Sequence, residues 1–195
     1  MARADDTGKT RNQHVMFYFA LLCPEPVDHR VQVLKQWVRD QHGAKAALKS
    51  PAHITVVPPF WWSAAAIDSL ASFAANFQHS PDVLHIRLKG FGHFGKKVIY
   101  VRVVDNITLT LLHESFSRYM KPLLEKLVKE ESNRFSPHVT IASRDLSPSA
   151  FVETWSFLSK QDFDADMKIS DISLMMLRDG LWEVFRSFPW ARNTG

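Results

Sequence analysis

The sequence predicts an antiparallel α+β fold, arranged as two lobes of one domain. Strand and helix patterns alternate along the chain, but several strand pairs are joined by turns too short for a parallel crossover. The 195 residues are 46% hydrophobic and 23% charged, which is enough apolar material for a substantial core. We find no linker rich in Gly, Ser or Pro. We therefore expect a loose polar leader at residues 1–14 and a single domain at residues 15–190.

The first strand and helix are predicted by a change in hydrophobic period. Residues 15–22 form an apolar, aromatic-rich run that stops at two prolines, as expected of a buried strand. Apolar side chains then recur at helical spacing from Val27 to Val38. Gly43 follows this segment and is predicted to end the helix.

A second strand and helix follow the first pair. Residues 53–57 alternate as a strand, which we expect Pro58-Pro59 to close. Ser63 is a candidate N-cap for an alanine-rich helix that runs to about Phe77. These elements complete the first half of the chain.

The middle of the chain predicts a hairpin with a long glycine-rich connection. Residues 83–88 and 98–104 alternate, and residues 90–97 lie between them. Gly90 to Gly95 match G-x-G-x-x-G, the dinucleotide-binding fingerprint. That motif requires a helix to follow at once, whereas a strand pattern follows here, so we interpret the glycines as turn residues.

The second half contains a long helix, a short strand, a further helix and a closing hairpin. Asn106 is a candidate cap for a helix that extends to about Val128, with a kink at Pro122. The other predicted elements are a strand at residues 138–142, a helix beginning at Ser147-Pro148, and strands at 169–177 and 181–188 around Asp179-Gly180.

Composition narrows the class of protein. Cys23 is the single cysteine, which excludes an internal disulfide and any cysteine-based zinc cluster. The longest apolar run has nine residues, about half the length of a membrane-spanning helix. We expect a cytoplasmic protein with no membrane association. The net charge of +4 is compatible with a phosphorylated ligand but does not by itself indicate one.

One motif occurs twice in matched surroundings. His53-Ile54-Thr55-Val56 and His138-Val139-Thr140-Ile141 each follow a Ser-Pro pair and each begin an apolar strand. Because residues i and i+2 of a strand project from the same face, each copy places an imidazole beside a hydroxyl. The residues between them anchor the strand in the core.

Two such pairs facing one phosphorus atom are suited to phosphodiester cleavage. A neutral histidine can remove a proton from the attacking group, and a protonated one can donate a proton to the leaving oxygen. His53 and His138 are the candidates for these roles. Thr55 and Thr140 can donate hydrogen bonds to the non-bridging oxygens. This chemistry needs no metal or cofactor, and we predict none.

On these motifs the chain resembles the two-histidine (2H) phosphoesterase superfamily, which includes 2′-5′ RNA ligase-like proteins and cyclic nucleotide phosphodiesterases. The similarity covers about residues 15–190. It implies a bilobal fold in which two pseudo-symmetric antiparallel sheets line a central groove, with helices outside. It also implies that the substrate is a 2′,3′-cyclic phosphate at an RNA end or on a small nucleotide, opened by water.

Further groove residues are weaker candidates. Phe60 and Trp61 leave the first motif strand and Phe94 lies in the glycine-rich segment, so each can stack on a base or else pack in the protein. Arg144 follows the second motif and can reach a phosphate, or simply be an exposed residue at a strand end.

Two alternative functions use the same groove. One is a non-catalytic module that binds RNA or a nucleotide. The other is a 2′-5′ RNA ligase or phosphodiesterase, since ligation is the reverse chemistry at the same site. The two intact histidines favour an enzyme, a phosphoric diester hydrolase, because binding alone does not need two proton-transfer groups.

Overall fold

A continuous eight-stranded antiparallel sheet, packed on one face by four helices, makes up the part of the protein that the structure describes. The structure is a computed structural model and describes residues 14–125, 127 and 135–191. The strands are β1 (His14–Leu22), β2 (His53–Ser63), β3 (Leu84–Phe94), β4 (Val98–Val103), β5 (His138–Ala142), β6 (Asp164–Ile169), β7 (Asp171–Arg178) and β8 (Leu181–Pro189). The helices are α1 (Val27–His42), α2 (Ile67–Ala75), α3 (Ile107–Leu124) and α4 (Pro148–Leu158).

The strand order divides the sheet into two halves. It runs β6-β3-β4-β5-β2-β1-β7-β8, and every neighbouring pair is antiparallel. We call β2-β1-β7-β8 the terminal half and β6-β3-β4-β5 the central half. The halves meet where Ile54 of β2 lies opposite Val139 of β5. The α+β class is therefore confirmed, with two matched four-stranded groups that join into one curled sheet.

One hydrophobic core lies between the sheet and the helices. Val31 and Val38 of α1, Leu112 and Phe116 of α3, and Phe151 of α4 belong to it. The sheet contributes alternate residues of its strands, among them Phe17, Phe19, Leu21, Ile54, Val101 and Val139. Because strand side chains alternate, the residues between these point to the opposite face, which we call the groove face.

Strand β2 continues past the two prolines, so the prediction that Pro58-Pro59 closes it is wrong. Eight residues of β2, from His53 to Phe60, lie opposite six residues of β1, and the register shifts twice along this stretch. Such irregularities interrupt the ladder of backbone hydrogen bonds, and proline, which has no N–H to donate, is tolerated there.

The predicted start of α2 is also wrong. Ser63 is the last residue of β2 and makes no capping bond; a short 3₁₀ turn at Ala64–Ala66 separates it from α2. The Trp62 indole N–H donates to the Ala66 carbonyl at 3.0 Å. An alanine-rich segment has high helix propensity, but propensity does not determine in which turn the helix begins.

The glycine-rich segment is mostly strand. β3 extends to Phe94 and β4 begins at Val98, so a three-residue turn replaces the long connection expected from sequence. Gly90 has a φ of 64° where the β3–β4 register shifts, a conformation that favours glycine. The G-x-G-x-x-G segment therefore lies within a hairpin and does not lead into a helix, as a dinucleotide-binding turn would.

The other elements agree closely with the sequence patterns. Asn106 caps α3 by accepting from the Leu109 N–H, and Ser147 caps α4 by accepting from the Ala150 N–H. Pro122 lies in the last turn of α3, which ends at Leu124, while Val128 is outside the described residues. Asp179 and Gly180 have positive φ and form the β7–β8 turn.

Two further points concern elements that the sequence did not assign. β6 was not predicted, although Ala165, Met167 and Ile169 alternate along it and it pairs with β3. Residues 1–13, most of the expected leader, are outside the described residues, and His14 is already the first residue of β1. Among the helices of the described chain, none has the length and apolar character needed to cross a membrane.

Candidate functional site

The two His-x-Thr motifs lie side by side at the junction of the sheet halves. Ile54 opposite Val139 is the middle position of each motif, and the two strands run antiparallel. In the same register, the residues on either side of this pair also lie opposite each other. His53 lies opposite Thr140, and Thr55 lies opposite His138, on the groove face. The two histidines then occupy one diagonal of a four-residue array, a separation of about 7–8 Å in antiparallel sheets.

The two imidazole rings are oriented by the same backbone contact. The His53 Nδ1–H donates to the Pro51 carbonyl at 2.8 Å, and the His138 Nδ1–H donates to the Ser136 carbonyl at 2.8 Å. A carbonyl oxygen can only accept, so Nδ1 must carry the hydrogen in both rings. Nε2 is consequently the ring nitrogen through which either histidine can exchange a proton.

The surroundings of the His53 ring disfavour its protonated form. Burial lowers the pKa of His53 from its ordinary value of 6.5 to about 4, and the positive charge of Lys35 and the His138 ring contribute to the decrease. The hydrogen bond to Pro51 and the charge of Asp28 oppose it. The His53 ring is therefore neutral at physiological pH and has a lone pair on Nε2.

Two aromatic side chains, Phe94 and Tyr100, lie beside His138 on the central half. The Phe94 ring centroid lies 4.9 Å from that of His138 and 4.5 Å from that of Tyr100. Tyr100 is the register partner of both Thr140 and Gly92. A Cβ on Gly92 would lie 2.6 Å from the Tyr100 ring, so the absence of a side chain lets the ring lie across the strand beside His138.

The terminal half presents an apolar floor next to His53. Tyr18, Ala20 and Met175 are buried and form a small cluster separate from the main core. The Tyr18 ring lies 5.0 Å from the His53 ring and 4.5 Å from the indole of Trp182, between centroids. The His53 ring therefore packs against a small buried cluster on this side of the sheet.

Positive charge is concentrated on the central half. Arg102 is the register partner of His138, and its guanidinium donates to the Phe91 carbonyl. Arg87 and Lys89, both exposed, lie farther along the groove face on β3. The Arg87 guanidinium makes two bonds to the Asp164 carboxylate, at 2.9 and 2.6 Å, so part of its charge is neutralised. Arg102 remains the cation directly beside the motif histidine.

Among the other candidate residues, the structure brings Phe94 alone close to a motif histidine. Phe60 is 2% exposed and packs against Phe17 and Phe19 in the core, which is the packing alternative that the sequence left open for it. Trp61 is 53% exposed but lies eight residues along β2 from His53. Arg144 is exposed in the turn after β5.

Sequence reasoning missed Tyr18, Tyr100, Arg102 and Lys35. The alternation of residues 98–104 places Ile99, Val101 and Val103 on the core face of the strand. Tyr100 and Arg102 therefore lie on the opposite face, and this pattern could have identified them from the sequence. Lys35 is different, because a lysine one turn from Val31 on an amphipathic helix is expected to extend into solvent. The structure instead buries it to 2% exposure.

The site combines two imidazoles, two hydroxyl groups and a flanking guanidinium. Within residues 14–125, 127 and 135–191, no group of three or more His, Cys, Asp or Glu side chains is arranged to hold a metal ion. The set of donors suits a phosphate group placed over the Ile54–Val139 junction.

Comparison with known proteins agrees with this geometry. The family model described as the 2′-5′ RNA ligase superfamily matches residues 23–181, well over half of the chain, and includes both motifs. Comparison with curated proteins gave no match.

Solved structures share the fold at low sequence identity. TT0787 of Thermus thermophilus has a TM-score of 0.61 and 16% identity, over 91% of this chain and 99% of that one. E. coli LigT in its apo form has a TM-score of 0.64 and 12% identity, over 92% and 99% of the two chains. E. coli LigT complexed with 3′-AMP has a TM-score of 0.61 and 14% identity, over 92% and 100%.

The family match and the fold lead to one assignment. Both His-x-Thr motifs fall within the matched region, at the centre of a sheet shared with LigT and TT0787. Members of this family are phosphoesterases and ligases, so the chemistry to be expected here is phosphoryl transfer. The chain belongs to the 2′-5′ RNA ligase superfamily, the two-histidine phosphoesterases that its sequence resembles.

Proposed function

We propose that the protein is a phosphodiesterase that opens 2′,3′-cyclic phosphates, on RNA ends or on small nucleotides, with His53 as general base and His138 as general acid. The observation that carries the proposal is the register of β2 and β5, which sets two His-x-Thr pairs around one point of the groove face. Binding of 3′-AMP by E. coli LigT, which shares the fold, supports a nucleotide phosphate as the ligand.

His53 suits the role of base because its ring is neutral. With Nδ1–H held by the Pro51 carbonyl, the Nε2 lone pair takes a proton from the attacking water. The water oxygen forms a bond to phosphorus as that proton leaves. A pKa of about 4 makes His53 a weak base, but it also keeps the ring unprotonated across the physiological range.

His138 suits the role of acid by position. It lies diagonally across the array from His53, and Arg102 is its register partner. When the bond from phosphorus to the ribose 2′ or 3′ oxygen breaks, His138 donates a proton to that oxygen. The products are a free hydroxyl and a phosphomonoester. Proton transfer from His53 to His138 through solvent then restores the starting state.

The two threonines are placed to stabilise the negative charge that develops on the phosphate oxygens. Thr55 and Thr140 occupy the second diagonal of the array, so their hydroxyls can donate to the two non-bridging oxygens. These oxygens gain negative charge in the transition state, and fixed donors are most valuable there.

The walls of the groove suit the rest of a nucleotide. Phe94, 39% exposed, and Tyr100 offer aromatic faces next to His138, and Trp182, half-buried, packs on Tyr18 beside His53 and offers an apolar surface there. Stacking of a base on such side chains contributes about 1–3 kcal/mol. Arg102 provides a charge for the phosphate or for a neighbouring phosphodiester.

The test is hydrolysis of a 2′,3′-cyclic nucleotide in the presence of EDTA. We expect wild-type turnover to a phosphomonoester, and losses of roughly 100- to 10,000-fold in His53→Ala and in His138→Ala. His93→Ala is the matched control, since His93 lies on β3 and packs on α4 rather than on the motifs. Circular dichroism verifies that each variant is folded.

Two outcomes would contradict the proposal. Equal rates in all four proteins would remove the two-histidine mechanism. Tight binding of the nucleotide with no product after hours would favour a binding module. Phosphorus NMR of the product from RNA with a cyclic phosphate end separates hydrolysis from formation of a 2′-5′ bond.

A further inference from the structure

Polar side chains on one side of α1 make hydrogen bonds to residues 50–52, the segment that precedes β2. Asp28, Gln32 and Lys35 are spaced at i, i+4 and i+7, so they share one side of the helix. Lys35 is buried, and its Nζ donates to the Ser50 carbonyl at 2.9 Å. A buried ammonium is rare unless its hydrogen bonds and charge are compensated. This lysine therefore has a specific role beyond covering apolar surface.

The other end of the segment is held by Asp28. Its Oδ1 accepts from the Ala52 backbone N–H at 2.6 Å and from the Gln32 side chain at 3.1 Å. Ser50 and Ala52 are thus both fixed by α1, and Pro51 lies between them. The Pro51 carbonyl accepts the Nδ1–H of His53. The helix consequently sets the position of the atom that orients the ring.

The same two side chains place opposite charges near the ring. Of the groups that act on His53, the positive charges of Lys35 and His138 lower its pKa and the negative charge of Asp28 raises it. Lys35 comes from α1, as does Asp28, and His138 comes from β5; Tyr18 of β1 contacts the ring by its aromatic face. Burial lowers the pKa of Lys35 itself to about 8, so it remains largely charged at neutral pH.

We propose that Lys35 and Asp28 are positioning residues for His53: they hold the segment before β2, and with it the Pro51 carbonyl that orients the ring, and they place opposite charges near that ring. The inference rests on the proposed function, because it assigns the two side chains to the general base. They act through the Pro51 carbonyl and through the field at the ring, and neither needs to touch substrate.

The test compares two charge-removing substitutions with opposite expected effects. Lys35→Met keeps an unbranched side chain that is one atom shorter, and Asp28→Asn keeps an oxygen that can accept from Ala52. We expect the His53 titration midpoint to rise in Lys35→Met and to fall in Asp28→Asn, each by roughly 0.5–1 pH unit. Lys49→Met and Asp40→Asn remove exposed charges of the same sign, beside Ser50 in the chain and near the C-terminal end of α1, and should leave the midpoint unchanged.

Two measurements report the midpoint. NMR titration of the His53 ring follows it directly and needs no activity, and the ring nitrogen shifts also show whether Nδ1 keeps its hydrogen. The acid side of the profile of kcat/KM against pH follows it through turnover. Below the midpoint, Lys35→Met should be roughly three- to tenfold slower than the wild type, and Lys35→Arg should restore the rate.

The outcomes separate this inference from the proposed function. Opposite shifts in the ring titration support it whether or not a cyclic nucleotide is hydrolysed. Shifts of the same sign, or shifts equal to those of the Lys49→Met and Asp40→Asn controls, overturn it even if the enzyme is active. If Lys35→Met does not fold, the test is the fall in the His53 titration midpoint that we expect in Asp28→Asn.

Discussion

Ile54 on β2 lies opposite Val139 on β5 in antiparallel register, and each is the second residue of its His-x-Thr motif. An antiparallel pair has a local two-fold axis between its strands. Here the axis passes between these two buried side chains and relates His53 to His138 and Thr55 to Thr140. The duplicated sequence is therefore matched by a duplicated arrangement around one point on the groove face.

The rate of cyclic phosphate hydrolysis should fall on the acid side near pH 4. The His53 ring must be neutral to act as base, and it gains a proton as the pH decreases through its pKa of about 4. On the alkaline side, the rate should fall as His138 loses the proton that it donates, which gives a bell-shaped profile. The measurement is kcat/KM from about pH 3.5 to 9, with circular dichroism at each pH. An acid midpoint between about pH 6 and 7, where an unperturbed histidine titrates, would contradict the assignment of His53 as base.

Removal of either threonine hydroxyl should slow turnover with little effect on stability. Both side chains are on the groove face rather than in the core, so Thr55→Val and Thr140→Val keep the shape of the strand. We expect kcat to decrease roughly 100-fold in each, because a hydrogen bond that stabilises the transition state is lost.

Serine at the same positions is the control for those threonine variants. Thr55→Ser and Thr140→Ser retain the hydroxyl and should retain most of the activity. Steady-state kinetics of the four proteins decide the point. If Thr55→Val keeps its activity while Thr55→Ser loses it, the methyl group rather than the hydroxyl matters.

Substitution of Phe94 should weaken substrate binding, whereas substitution of Phe60 should reduce the stability of the fold. Phe94 is 39% exposed beside His138, so Phe94→Ala should raise KM roughly 5- to 100-fold with a small change in stability, as expected for a lost stacking contact. Phe60 is in the core, so Phe60→Ala should reduce the free energy of unfolding by about 3–5 kcal/mol.

Urea denaturation and steady-state kinetics together test this pair. The folded fraction of Phe60→Ala should keep the wild-type KM. A stability loss in Phe94→Ala as large as that in Phe60→Ala would show that Phe94 is a packing residue.

Gly92 should act through Tyr100. A Cβ at this position would lie 2.6–2.8 Å from three atoms of the tyrosine side chain, so Gly92→Ala must displace the ring from its place beside His138. We expect kcat/KM to fall roughly 2- to 10-fold, the value of an aromatic contact. A double-mutant cycle with Tyr100→Ala checks the cause: the glycine substitution should have no further effect once the ring is absent. Additive losses would show that Gly92 acts independently of Tyr100.

The order of most elements could be predicted because local patterns determine it. A continuous apolar run marked β1, alternation marked β3 and β4, and Asn106 and Ser147 marked the starts of α3 and α4. The errors arose where pairing overrides local chemistry: Pro58 and Pro59 lie within β2 because the register shifts there, and the glycines of β3 form strand rather than a loop. β6 was missed because every second residue of this strand is polar, as in a loop, and its pairing with β3 is not visible in the sequence.

The sequence by itself determined the duplicated His-x-Thr motif, the α+β class and the membership in a phosphoesterase family, because each depends on which residues occur and at what spacing. Tertiary structure decided how the residues of the site differ from one another. Long-range pairing buried Phe60, brought Phe94 and Tyr100 to His138, and placed Lys35 and Asp28 next to the segment before β2. The two histidines are equivalent in sequence. The low pKa of His53 arises from its burial and from charges that lie far from it along the chain, and neither can be read from the motif.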